Sequence, residues 1–232
     1  MSVYAIPLWE TPAIPVVDGN PFPVHRIFCV GRNYAAHARE MGHDPDREPP
    51  FFFAKPANAV VANQTTVPYP DETSDMHPEI EMVVALASGG YRIPENEALD
   101  RIYGYCVGLD FTRRDMQSGF KDTGRPWDMA KGFDRSAPMS EIQRVEAVGH
   151  VSEGAVILMV NGEMRQSGDV NQLIWNVPET ISYLSSLITL CPGDLIMTGT
   201  PSGVSAVVSG DHLMGHVDGL VDLDIRIGYV AS

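Results

Sequence analysis

Apolar positions along the chain fall in short runs separated by turn residues, and their spacing predicts strands more often than helices. Residues 26–30 form a strand candidate closed by Gly31, and residues 33–41 read as a helix that stops at Gly42. Residues 51–54 and 59–62 are short strands, and residues 67–78 are a Pro- and Asp-rich loop. In residues 79–86, alternation places Glu79 and Glu81 on one face of a strand and Ile80, Met82 and Val84 on the other. Residues 102–109 make a further apolar strand that delivers Asp110 at its end, and a polar segment follows to Gly132. Around Asn161-Gly162, residues 155–160 and 163–166 predict a hairpin, because that dipeptide supplies both positive-φ positions of a type I′ turn. Residues 178–189 are a helix with Pro178 in its first turn. Residues 195–198 lead as a strand into the Gly199-Thr200-Pro201 turn, and residues 213–217 and 221–227 pair around Asp218-Gly219.

Strands outnumber helices and come in hairpins rather than in strand-helix alternation. The expected class is therefore α+β and β-rich, with a mixed, mainly antiparallel sheet. Residues 1–24, broken by Pro7, Pro12 and Pro15, read as an extended N-terminal arm, and residues 25–232 as one domain. No Gly-x-Gly-x-x-Gly or Walker-type loop occurs, so a nucleotide cofactor is not indicated.

Composition narrows the partners. The 232 residues are 44% hydrophobic and 20% charged, an ordinary globular balance. A formal net charge of -14 would repel a phosphate backbone, which excludes nucleic acid as an expected partner. Cys29, Cys106 and Cys191 are odd in number and widely spaced, so they make neither a disulfide framework nor a metal clip, and a reducing cytoplasmic setting is expected. The apolar stretch 82–87 is far too short to span a bilayer, and the first residues carry no basic leader pattern.

Several constellations are candidates for chemistry. Same-side carboxylates on a strand stand roughly 6 to 7 Å apart at the backbone, close enough to share one ion, and an all-oxygen set suits Mg²⁺, Mn²⁺ or Ca²⁺ better than Zn²⁺. On pattern alone, Glu79 and Glu81 fit equally the solvent face of an edge strand, the commoner fate of such acids. His77, two residues earlier, reads as a loop histidine or one that supports a ligand from behind, rather than a zinc ligand. Gly104-Tyr105-Cys106-Val107-Gly108 mimics a nucleophile elbow but lies inside an apolar run, which favours a buried structural cysteine. His37 and Glu40, three apart on the predicted helix, suit a general base with its orienting carboxylate, although surface helices carry many such pairs idly. Lys131 sits among apolar neighbours, and the backbone N-H groups of Thr198-Gly199-Thr200-Pro201 could hold a carboxylate.

Taken in order, these segments resemble the fumarylacetoacetate hydrolase family from about His25 to Gly228. The matching strings are Val30-Gly31-Arg32-Asn33-Tyr34 with His37 and Glu40, Phe53-Ala54-Lys55-Pro56, His77-Pro78-Glu79-Ile80-Glu81 and Leu109-Asp110-Phe111-Thr112-Arg113-Arg114-Asp115. Ala130-Lys131-Gly132-Phe133-Asp134, Val160-Asn161-Gly162-Glu163, Pro192-Gly193-Asp194 and Thr198-Gly199-Thr200-Pro201 complete them. The resemblance implies a mixed β-roll with flanking short helices, one catalytic domain over residues 25–232, a homodimer, and an acidic Mg²⁺ or Mn²⁺ site. It implies Glu79, Glu81 and Asp110 as metal ligands, His37 and Glu40 as catalytic pair, and Lys131 as stabiliser of negative charge. Arg114, Gln117 and Thr200 match substrate contacts, and Arg32 or Arg114 would take a remote carboxylate. Pro78 departs from the many relatives with a second histidine there.

Leu8-Trp9-Glu10-Thr11-Pro12 and residues 36–45 look most like the members that hydrolyse fumarylpyruvate in gentisate degradation. The expected substrate is thus a small 2,4-diketo acid, 3-fumarylpyruvate, split to fumarate and pyruvate. Rival expectations are another acylpyruvate hydrolase, an oxaloacetate decarboxylase, a 2-hydroxyhepta-2,4-diene-1,7-dioate isomerase and, without catalysis, a small-acid binding protein.

Overall fold

The computed structural model describes residues 4–35 and 48–229. Two sheets carry the fold. The larger runs in the order Phe51–Lys55, Arg26–Gly31, Asp194–Met197, Ile80–Leu86, Ile102–Leu109, Ala137–Met139, Val60–Ala62, with Gln143–Arg144 also paired to Ile102–Leu109. The smaller runs Glu163–Asp169, Ala155–Val160, His212–Val217, Leu223–Gly228, Thr65–Pro68. Most pairings are antiparallel. Asp194–Met197 on Arg26–Gly31, Ala137–Met139 on Val60–Ala62 and Leu223–Gly228 on Thr65–Pro68 are parallel, so the β-rich α+β class with mixed sheets holds.

The larger sheet is buried on both faces, which explains why its strands read as nearly continuous apolar runs. One face, through Ile80, Met82, Val84, Val107 and Leu109, packs on Val156, Leu158, Leu213 and Ile225 of the smaller sheet. Its other face, through Cys29, Val83, Ala85, Cys106 and Met197, is closed by Ile14, Val16, Phe22 and Val24. Residues of the N-terminal arm therefore fill a core: Ala13–Ile14 pairs with Phe22–Pro23, and Val16 bridges to Ile142. Asp194, fully buried, ties two parallel neighbours by accepting from Arg26 Nε at 2.9 Å and Nη2 at 2.5 Å.

Local signals account for the predicted elements. Asn161 and Gly162 adopt φ of 54° and 82° in the expected hairpin. The helix Val177–Leu187 starts at Asn176, whose side chain accepts from the Glu179 N-H while Glu179 caps back, and ends where Ile188 turns extended, two residues short of the reading. One reading needs correction. The segment 67–78 is not all loop, because Thr65–Pro68 finds a parallel partner in Leu223–Gly228 and Met76–His77 pairs with Thr112–Arg113. The polar segment before Gly132 holds two helices, Arg114–Thr123 and Asp128–Lys131. Among the described residues no helix is long and apolar enough to cross a membrane.

The strand pair His212–Val217 and Leu223–Gly228 is clasped at its turn by His216, whose Nδ1 lies 2.6 Å from Asp222 Oδ1 and Nε2 2.9 Å from Asp218 Oδ1. Only the imidazolium can donate from both nitrogens. Asp222 first, and Asp218 with it, raise the His216 pKa despite partial burial. A raised folded-state pKa gives stability that is fully present below the unfolded value of about 6.5 and is lost as pH rises through the folded value. An NMR titration should place the His216 midpoint above about 6.5, and His216→Gln should remove that part of the pH dependence of urea unfolding.

Candidate metal centre

The register of two central strands builds the floor of the site. Ile80 pairs with Leu109, so Glu79, just before one strand, meets Asp110, just after the other. The Asp110 N-H donates to the Glu79 carbonyl at 2.9 Å. Glu81 shares a face with Val83 and Ala85, as alternation predicts. The strand is not an edge, however, since Asp194–Met197 and Ile102–Leu109 flank it. Exposure falls to 6% at Glu79, 2% at Glu81 and 0% at Asp110, which rules out the solvent-face account. Carboxylate oxygens of all three lie within 4.8 Å of one another.

Three buried acids demand compensation, because an unpaired ion in the interior costs several kcal/mol, an order-of-magnitude figure. Lys131 Nζ donates to Glu79 Oε2 at 2.9 Å and to Asp110 Oδ2 at 2.6 Å. Arg114 Nη2 donates to Glu79 Oε1, and the Gly199 N-H to Glu81 Oε2 at 2.6 Å. Burial alone would lower the Lys131 pKa, but the carboxylates of Asp110 and Glu79 outweigh it and raise the pKa, so the ammonium persists. For Glu81 the balance runs the other way. Burial, then the charges of Asp110 and Glu79, push its carboxyl well above the usual range.

These observations test whether the residues fit a cation. Lys55 Nζ approaches Asp110 Oδ1 to 2.8 Å, but its directed bonds run to the carbonyls of Phe111, at 3.1 Å, and Lys131. Asp110 Oδ1 is thus buried without a directed hydrogen bond. Three buried carboxylates within one ion's reach, a Glu81 carboxyl that resists ionising without added positive charge, and an all-oxygen donor set match a hard divalent ion such as Mg²⁺ or Mn²⁺. The fit is good.

Above this floor opens a cleft lined by Arg32, Phe51, Phe53, Arg114, Gln117, Lys121, Trp127, Lys131 and Thr200. Arg114, Gln117 and Lys121 come from one face of the helix Arg114–Thr123, three and four residues apart. Arg114 Nη1 donates to Gln117 Oε1 at 2.6 Å, which fixes both. Thr200 Oγ1 accepts from Gln166 Nε2 at 2.8 Å, leaving its own proton for a ligand, and Gln166 Oε1 accepts from the Ile80 N-H at 3.0 Å. Gly199 has φ 103°, and a Cβ there would stand 2.7 Å from Asn33 Cβ, so this turn needs glycine.

Of the residues expected from sequence, the structure brings Glu79, Glu81, Asp110, Lys131, Arg32, Arg114, Gln117 and Thr200 to one place. His37 and Glu40, with the predicted helix body, lie outside the described residues. His77 turns to Asp75 instead, with Nε2 2.8 Å from Oδ1. Cys106 is fully buried in a strand with its thiol pKa raised by burial, a structural cysteine as read. Sequence reasoning assigned no role to Lys55, Gln166, Lys121 or Trp127. A lysine closing an apolar strand was the available signal for Lys55, and none marked the others.

A family model described as fumarylacetoacetate (FAA) hydrolase, C-terminal, matches residues 26–228. A fumarylpyruvate hydrolase of Ralstonia sp is 45% identical over 190 residues, 81% of this chain and 98% of that protein. The mitochondrial oxaloacetate tautomerase of Homo sapiens is 39% identical, over 87% of this chain and 90% of its own length. The crystal structure of fumarylpyruvate hydrolase from Pseudomonas aeruginosa, in complex with Mn²⁺ and pyruvate, superposes with a TM-score of 0.93 at 50% identity, covering 99% of this chain and 100% of that one.

By titration calorimetry the wild-type chain should bind Mn²⁺, and Glu81→Ala and Asp110→Ala should each weaken binding by about tenfold or more with circular dichroism unchanged. Lys55→Met, which keeps the acids but frees Asp110, should cost about 10- to 100-fold, the usual effect of removing a residue that supports a ligand. Unchanged affinity in a variant would remove that residue from the centre.

Proposed function

Since the chain belongs to the fumarylacetoacetate hydrolase family, we propose that it is a divalent-cation-dependent carbon-carbon hydrolase that splits 3-fumarylpyruvate into fumarate and pyruvate. The observation that carries this reading is the buried trio Glu79, Glu81 and Asp110 under a cleft walled by cationic and aromatic side chains. In the net reaction, water adds to the fumaryl ketone carbon and the bond from that carbon to the methylene breaks. The electron pair stays on the pyruvyl fragment as an enolate, a proton from the water ends on the methylene carbon, and the hydroxyl stays with fumarate.

A Mg²⁺ or Mn²⁺ ion held by Glu79, Glu81 and Asp110 would supply Lewis acidity to the 2-keto acid end of the substrate. The chain's own groups do the remainder. Lys131, held protonated between Glu79 and Asp110, presents positive charge where the enolate oxygen develops its negative charge. Arg114, oriented by Gln117, and the Thr200 hydroxyl, oriented by Gln166, offer donors to the substrate's carboxylate. His37, oriented by Glu40, takes the proton from the attacking water. That role rests on their spacing in sequence and on the family resemblance.

A second reading has its own support, because the human oxaloacetate tautomerase and an oxaloacetate decarboxylase of Dictyostelium discoideum, 38% identical, share the family. Enolisation of oxaloacetate would use the same acidic floor. A non-catalytic acid-binding protein would have no use for Lys131 fixed between two ligand carboxylates. We place the enzyme in the cytoplasm on its free cysteines, and as a homodimer on the family resemblance.

Incubation of the Mn²⁺-loaded protein with fumarylpyruvate, acetylpyruvate and oxaloacetate, followed by product analysis, should give fumarate and pyruvate in equal amounts as the fastest conversion. Turnover of oxaloacetate with fumarylpyruvate left intact would sink the proposal. His37→Ala should lower kcat about 10²- to 10⁴-fold while Mn²⁺-dependent binding of oxalate persists, and a near-normal kcat would remove His37 from the mechanism.

A further inference from the structure

Two cations line the cleft beside those that hold the acids. Lys121 and Arg32 make no ion pair among the described residues, whereas Arg114 is bonded to Glu79. Each is seated on an aromatic ring: Lys121 Nζ lies 5.3 Å from the Trp127 ring centroid and Arg32 Cζ 5.3 Å from that of Phe51. The two rings touch edge to face at 5.6 Å. The geometry points to a second anion subsite in which Lys121, with Arg32, binds the remote carboxylate of an acylpyruvate, so that Lys121 selects dicarboxylate over monocarboxylate substrates. This rests on the hydrolase reading above and names the substrate class that its site prefers.

The placement is costly without a ligand. Arg32 holds φ 57° in the turn just past the strand Arg26–Gly31, a left-handed conformation unusual for arginine. Burial, and then the like charges of Arg114 and Arg32, lower the Lys121 pKa against a smaller opposing pull from Glu79. Were Lys121 only covering Trp127 with its methylenes, its head would gain by turning to open water. Instead it lines the same cleft as Glu79 and Glu81, with cations at the rim and carboxylates on the floor. A dicarboxylate suits that division. Its keto-acid end goes to the floor, its flat conjugated chain lies against Phe51 and Trp127, and its far carboxylate reaches Lys121 and Arg32.

Binding of two uncleavable ligands to the Mn²⁺-loaded protein tests this apart from catalysis. They are 2-oxoheptanedioate, which has the remote carboxylate, and 2-oxoheptanoate, which lacks it. By calorimetry the wild type should prefer the diacid by about 10- to 100-fold, the usual worth of a hydrogen bond to a charged group. Lys121→Met should collapse that preference to a few-fold, and Lys121→Arg should retain most of it. Equal affinities in the wild type, or a preference that survives Lys121→Met, would overturn the subsite. Failure of the hydrolase reading would show separately, as intact fumarylpyruvate in the product assay.

Discussion

Three carboxylates brought within one ion's reach, in the interior of a sheet covered on both faces, are the condition to which the rest of the site answers. At such separations like charges repel strongly in a low dielectric, and burial withholds the water that would screen them. The molecule meets this with fixed positive groups rather than solvent. Lys131 bridges two of the acids, Arg114 takes the outer oxygen of Glu79, and the Gly199 N-H takes Glu81. Lys55 completes the cage from below, where it also ties the backbone at Phe111 and Lys131. The charge least offset is that of Glu81, whose carboxyl is held well above the usual range by burial and the neighbouring acids.

Topology makes this arrangement possible. An antiparallel register joins the start of one strand to the end of its neighbour, which places Glu79 and Asp110 side by side without any loop to hold them. The polar helix Arg114–Thr123 then follows Asp110 after the short strand Thr112–Arg113 and presents Arg114 and Gln117 to the cleft. Gln166, from the smaller sheet, spans to Ile80 and Thr200 and so locks the second sheet to the site. Precision comes from strands and a short helix, which deform less than surface loops.

How much of this was legible from sequence depended on whether the signal was local. The Asn161-Gly162 hairpin, the capped helix after Asn176 and the alternation of Glu79 and Glu81 are local, and all three were read correctly. Burial of the acids was not legible, since it depends on Asp194–Met197 pairing from more than a hundred residues away. Thr65–Pro68 was hidden for the same reason, because its partner is the last strand of the chain. The helix Arg114–Thr123 escaped because Gln117 is its buried residue, so no apolar stripe marks it. Resemblance supplied what spacing did not, namely that Asp110 joins the pair and that Arg114, Gln117 and Thr200 face the same cleft.

The cleft is electrically asymmetric along its depth. Its floor is acidic and offset by lysines placed beneath and between the acids, while its rim carries Arg32 and Lys121 on aromatic supports. A chain whose net charge is -14 could still collect a small dianion, since charges farther from the rim than a Debye length of about 8 Å are largely screened and the local field governs approach. On the proposed function, the same asymmetry would set the direction of binding. A divalent ion held by Glu79, Glu81 and Asp110 would offset the acids that otherwise disfavour a keto-acid head at the floor. Metal and substrate would therefore bind cooperatively at the floor, and the rim would act as a lever, converting the affinity of a remote group into correct placement of the bond to be broken.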